Sequence, residues 1–129
     1  MYLTPKEDLL VGGLADWADA GWVAQSVLLT GDWPASVLRD STLSLIAEVL
    51  DEGLMVPGDL DDDGRHVPWV GGPARWMDRI SRVWFEEWGD DLPTPGAVVW
   101  LANTPAGDEI ARAALDREHK HENPAPPAK

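Results

Sequence analysis

Residues 97–105 read AVVWLANTP, and this stretch decides the fold class. Ala97 to Ala102 is a short apolar run rich in valine, bounded by Pro95 and Gly96 before it and Asn103 after it, so it reads as a buried β-strand. Thr104 and Pro105 then open a helix: the hydroxyl serves as cap, and the proline fills a first helical position that needs no N–H. Ile110, Ala111, Ala114 and Leu115 give that helix a modest apolar side. A strand feeding directly into a helix makes the chain α+β, and the segments upstream make it mainly helical.

Thr4, Pro5 and Glu7 have the form of a capping box with proline at the first helical position, so a helix starts here. Leu10, Leu14, Trp17, Gly21, Ala24 and Leu28 alternate spacings of four and three and share one side, which extends to about Leu29. Gly12, Gly13 and Gly21 each cost roughly 1 kcal/mol in a helix interior, so this face fits either one long helix or two shorter ones broken near Gly21. Close packing of another element against these glycines would account for them. Asp32, Trp33 and Pro34 open a further helix over about 34–52, stopped by Gly53. Its apolar side is Leu38, Thr42, Leu45, Ile46, Val49 and Leu50, and its outer side, with Asp40, Ser44, Glu48, Asp51 and Glu52, is acidic. Residues 54–72 carry Pro57, Pro68 and four glycines, a composition of turns, with a short edge strand expected over His66–Val70. Residues 73–89 form another helix, between Pro73 and Gly89. Trp76, Met77, Ile80, Val83, Trp84 and Trp88 lie on one arc and Arg75, Arg79, Arg82 and Glu86 on another, with Arg82 and Glu86 spaced for an ion pair. Residues 1–118 are thus expected to form one globular domain and 119–129, with three prolines and no large apolar residue, a disordered tail.

Composition narrows the function. The 129 residues hold 10 Lys plus Arg against 23 Asp plus Glu, a formal charge of −13, which repels phosphate backbones and attracts cationic partners. Direct nucleic-acid binding is disfavoured, although the charge also has a reading as a solubility or salt adaptation. The absence of cysteine removes disulfides, zinc thiolate sites and thiol nucleophiles. No apolar run approaches the ~20 residues of a membrane span, and the first residues lack the pattern of a signal peptide, so a cytoplasmic location is expected.

The motifs point away from catalysis. Asp59, Asp61, Asp63 and Gly64 match the first half of a calcium loop, but Val70 stands where the bidentate Glu belongs, which leaves an acidic docking loop as the better use of these charges. His66 is the one histidine outside the expected tail, no serine sits in a nucleophile setting, and the neighbouring pairs Glu86–Glu87 and Asp90–Asp91 do not converge. His119 and His121 read as tail rather than metal ligands, and no phosphate-binding glycine loop is present. No catalytic residue, metal or cofactor is therefore expected. Eight tryptophans cannot all be fully buried in so small a domain, and Trp69 and Trp88, in acidic surroundings, are the candidates for surface anchors.

Val98 to Gly107 with the helix that follows resembles the end of a winged-helix domain, and Leu43 to Leu54, ending in Glu52, Gly53 and Leu54, is similar to the helix before a wing. The helix corresponding to the DNA-reading one has Arg39 as its only basic residue, a departure from the family pattern. In size, acidity and lack of cysteine the chain is also similar to small bacterial immunity proteins that neutralise nuclease toxins.

The expectation is an α+β, mainly α domain of four to five helices with a small two- or three-stranded sheet, loosely winged-helix-like. The expected function is that of an acidic protein-binding module, an immunity protein or inhibitor occupying a basic, nucleic-acid-binding site of a partner such as a nuclease toxin. Asp59, Asp61, Asp62, Asp63, Asp90 and Asp91 would supply charge, and Trp69 and Trp88 anchorage. A winged-helix-derived regulator or regulator antagonist and a carbohydrate-binding protein are the alternatives, and a homodimer through the tryptophan-rich helix is left open.

Overall fold

A computed structural model describes residues 3–28, 33–89, 91–94 and 97–122, and of 120–122 the backbone alone. Expectations that fall on Leu29, Asp32, Asp90, Pro95, Gly96 and residues 123–129 lie outside the described residues. The elements run α1 (Pro5–Ala15), β1 (Ala18–Asp19), α2 (Ala20–Leu28), α3 (Ala35–Asp51), β2 (Met55–Leu60), β3 (His66–Pro68), α4 (Pro73–Val83, continued as a π-helical turn over Trp84–Trp88), β4 (Trp100–Asn103) and α5 (Pro105–Glu122). The fold is α+β and dominated by helix, with a four-stranded antiparallel sheet in the order β1-β4-β2-β3.

Local chemistry explains most boundaries. At α1 the capping box is complete: the Glu7 N–H donates to Thr4 Oγ1 at 3.1 Å and the Thr4 N–H to Glu7 Oε1 at 3.0 Å. The long apolar face divides, earlier than Gly21. The chain leaves helix at Ala15, turns extended at Asp16, pairs as β1 with β4, and restarts at Ala20, where Asp19 Oδ1 accepts the Trp22 N–H at 2.7 Å. The glycines are explained by close neighbours, since the Trp22 indole lies against Gly12 and the Asn103 side chain against Gly13.

The sheet has one strand more than the largest expected number. Ala18–Asp19 is too short for periodicity to reveal, and β2 contains Pro57 and Gly58, which read as turn residues. Pro57 is tolerated because its carbonyl points toward β3, accepting the Trp69 N–H at 2.9 Å. A strand residue directs its N–H and C=O to the same side, so the missing donor falls beyond the last residue of β3 and costs the ladder one bond at its open end. Over Gly58 the His66 ring crosses to β4, where Nε2 donates to the Trp100 carbonyl at 3.0 Å, and the ring also stacks with Trp17. Glycine at 58 makes room for that ring, and His66 is a structural tie between strands.

The core gathers Leu9 and Leu10 of α1, Val23 of α2, Ile46, Val49 and Leu50 of α3, Met55 of β2, Ile80 and Trp84 of the α4 region, and Val99, Leu101 and Ala111, all essentially without solvent exposure. Ser26 of α2 donates to Asp8 Oδ2 of α1 at 2.6 Å, and α5 is tied to α1 by the Arg117–Glu7 ion pair at 2.7 Å. The last helix continues through residues 119–122, the start of the expected tail, because nothing before Pro124 breaks a polar helical run. No helix among the described residues is long and apolar enough to cross a membrane.

Candidate functional site

The acidic segment folds as the tip of the β2–β3 hairpin. The Asp61 N–H donates to the Arg65 carbonyl at 2.9 Å, and Asp61 Oδ1 accepts the N–H groups of Asp63 and Arg65 at 2.9 and 2.8 Å. Gly64, at φ +76°, supplies the left-handed residue that closes the turn. The half-match to a calcium loop is thus a carboxylate capping its own turn. Asp61 is committed to the backbone, and Asp62 and Asp63 are presented to solvent. Among the described residues no group of three or more His, Asp or Glu side chains is gathered as for a metal ion.

Asp59 and Trp69 form a cluster with Arg79, a member of the arginine row of α4. Trp69 Nε1 donates to Asp59 Oδ2 at 2.9 Å, and the Arg79 guanidinium lies over the Trp69 ring at 3.7 Å with a terminal nitrogen 3.7 Å from the same carboxylate oxygen. Trp69 is half-buried, with one ring face covered by Arg79. The cluster holds the hairpin to α4. Next to it, Trp76 Nε1 donates to the Val70 carbonyl at 3.0 Å, which fixes the connection between β3 and α4.

Between these contacts opens a cleft of about 570 Å³ lined by Trp69, Val70, Arg75, Trp76, Asp78, Arg79 and Arg82. Arg82 pairs with Asp78 at 3.6 Å rather than with Glu86. The π-helical turn that begins at Trp84 takes Glu86 off the i,i+4 position. Arg75 has no carboxylate within ion-pair distance among the described residues. Sequence reasoning saw the arginine row and Trp76 separately, as two faces of one helix. Their meeting around Trp69 depends on the hairpin folding back onto α4.

The remaining expected site residues sit elsewhere. Trp88 is half-buried against the core, with its indole N–H buried and unpaired, and the exposed Asp91 donates its backbone N–H to the Trp88 carbonyl at 2.8 Å. Arg79, which covers Trp69, precedes Trp88 by nine positions, on the order of 13 Å along a helix. The hairpin residues and the Trp88 end are thus separated along the α4 region and, among the described residues, do not touch a common residue of the Asp59–Trp69–Arg79 cluster. The outer face of α3 is acidic as expected, with Asp40, Ser44, Glu48, Asp51 and Glu52 exposed, while Arg39 lies over the Phe85 ring at 4.2 Å. The most exposed tryptophan is Trp22, which nothing in its sequence context marks as a surface residue.

No protein-family model matches the chain, and neither a curated protein nor a solved structure matches it.

Proposed function

We propose that the protein is a non-enzymatic, cytosolic binding module that uses its acidic surface to occupy a basic site on a partner protein, in the manner of an immunity protein that blocks the nucleic-acid site of a nuclease toxin. The observation that carries this reading is the locked hairpin tip. Because Asp61 holds the turn, Asp62 and Asp63 stand in a fixed geometry, with Val67, 49% exposed, on the same hairpin. A preorganised acidic tip loses little conformational freedom on docking, and its charge, within a chain of −13, accelerates encounter with a cationic surface. The acidic outer face of α3 adds to the same long-range attraction.

The test is affinity capture from a lysate of the source organism at about 0.05 and 0.5 M salt, conditions across which screening of exposed charges increases strongly. The expected result is one basic protein that is retained at low salt and weakened at high salt, and whose nuclease activity the chain inhibits. Replacing Asp62 and Asp63 together by Asn leaves the Asp61 cap in place, so it is expected to slow association while leaving the fold intact. Capture of nothing at either salt, or unchanged association by the double variant, would overturn the role assigned to the tip.

A further inference from the structure

The cleft on α4 has the opposite character to the rest of the protein. Three of the chain's 10 basic residues, Arg75, Arg79 and Arg82, line it against two carboxylates, Asp78, which pairs with Arg82, and Asp59, which pairs with Arg79 at its edge. They follow one another at spacings of four and three, so they form one row along the helix. The guanidinium of Arg79 lies over the Trp69 ring at 3.7 Å with one terminal nitrogen 3.7 Å from Asp59 Oδ2, and its remaining N–H donors are available to a ligand in the cleft. Arg75 stands in the first turn of α4 with no ion-pair partner among the described residues. That first turn has no acidic residue, and its N-cap, Gly72, contributes no side-chain acceptor, so the positive end of the helix adds to the arginines. The other walls are the indoles of Trp69 and Trp76 and the side chain of Val70, which is 85% exposed.

An anion alone needs the arginines but not the indoles, and an apolar ligand needs the reverse. The geometry points to a binding site for a small organic phosphate that carries a flat ring, of which a mononucleotide is the representative. The phosphate would sit between Arg75 and the donors of Arg79 that do not face Asp59, with Arg82 beside it, and the ring would lie against Trp76 and Val70. The volume, about 570 Å³, lies within the usual range for small-molecule sites. A single-stranded nucleic acid offers the same chemistry, but each further phosphate would enter the field of a chain carrying −13, so the free mononucleotide is the favoured source. This site is separate from the acidic tip and does not depend on its partner.

The full chain is titrated with AMP, adenosine, inorganic phosphate and a short single-stranded oligonucleotide at about 0.05 M salt. Binding is followed by calorimetry and by the indole N–H resonances of Trp69 and Trp76. AMP is expected to saturate and to shift both resonances, with adenosine and inorganic phosphate each at least about tenfold weaker. Arg75→Gln and, independently, Arg82→Gln are expected to weaken AMP by about tenfold or more, whereas Arg112→Gln, on the exposed side of α5, leaves it unchanged. No saturation at millimolar AMP, or equal weakening by Arg112→Gln, would overturn the site. Inorganic phosphate binding as tightly as AMP would overturn the ring contact, and an oligonucleotide binding more tightly than AMP would overturn the assignment to a small molecule. Arg79 is left unmutated because it also holds Trp69.

Discussion

Replacing Gly107 by Ala tests the junction on which the α+β arrangement rests. Gly107 lies in the first turn of α5, and a Cβ built there is driven into the carbonyl oxygen of Leu54, with the Leu54 carbonyl carbon at 3.1 Å and Leu10 Cδ2 at 3.4 Å. The carbonyl cannot simply swing away. It accepts the Thr104 N–H at 2.9 Å, while Thr104 Oγ1 donates to the neighbouring Gly53 carbonyl at 2.6 Å. Overpacking at such a contact costs about 1–3 kcal/mol, and weakening the Thr104 bond adds about 1 kcal/mol. Against this, alanine gains at most ~1 kcal/mol over glycine in helix propensity, and less in a first turn. The net expectation is a loss of about 2–3 kcal/mol, a fall in midpoint on the order of 10 °C for a domain of this size. Urea and thermal unfolding followed by far-ultraviolet circular dichroism and tryptophan fluorescence would measure it. Ala106→Gly, at the exposed neighbouring position, is the comparison and should lose no more than ~1 kcal/mol. If Gly107→Ala proved as stable as the parent chain, the close approach of α5 to the start of β2 would be refuted.

Two other substitutions probe the elements that frame the sites. The Glu7 carboxyl is held below its ordinary value chiefly by the Thr4 backbone N–H and further by Arg117, so the unfolded chain binds its proton more readily. Its contribution is therefore present above the unfolded value, about 4.3, and is lost as pH falls through the folded one; the stability gap between the parent and Glu7→Gln should shrink on acidification, and a gap constant with pH would contradict the pairing. Asp61→Ala removes the acceptor of two backbone N–H groups and should cost about 0.5–2 kcal/mol with faster amide exchange at Asp63 and Arg65, whereas Asp62→Ala, at an exposed position, should stay within about 0.5 kcal/mol of the parent. Equal effects from the two would remove Asp61 from its role in the turn.

The elements that the sequence revealed are those whose determinants lie within a few residues of one another. Thr4 and Glu7 close their box across one turn, and α3 displays its buried side at helical spacing from Leu38 to Leu50. The strand at Trp100 and the cap at Thr104 are local in the same sense. β2 was hidden because Pro57 and Gly58 owe their place to distant partners: Trp69 supplies a donor to the Pro57 carbonyl, and His66 needs the space above Gly58. β1 is two residues long and is specified by Leu101 and Trp100 across the sheet.

The same distinction separates the two surfaces assigned a role. The acidic tip is a contiguous run, so its charge was visible in the sequence, although the internal use of Asp61 was not. The cleft joins Trp69 to arginines six to thirteen positions later, and nothing in α4 alone signals that a tryptophan will cover Arg79. Net charge is a poor guide at this scale. Exposed charges separated by more than about 8 Å are largely screened at physiological salt, so the potential in the cleft is set by Arg75, Arg79, Arg82, Asp78 and Asp59 far more than by the carboxylates of α3. A chain of −13 can steer toward a cationic partner at low ionic strength, where screening is weak, and still hold an anion at short range. The two behaviours should separate experimentally, because Asp62 and Asp63 act at the hairpin tip and Arg75 at the start of α4, and neither substitution touches the contacts that hold the other.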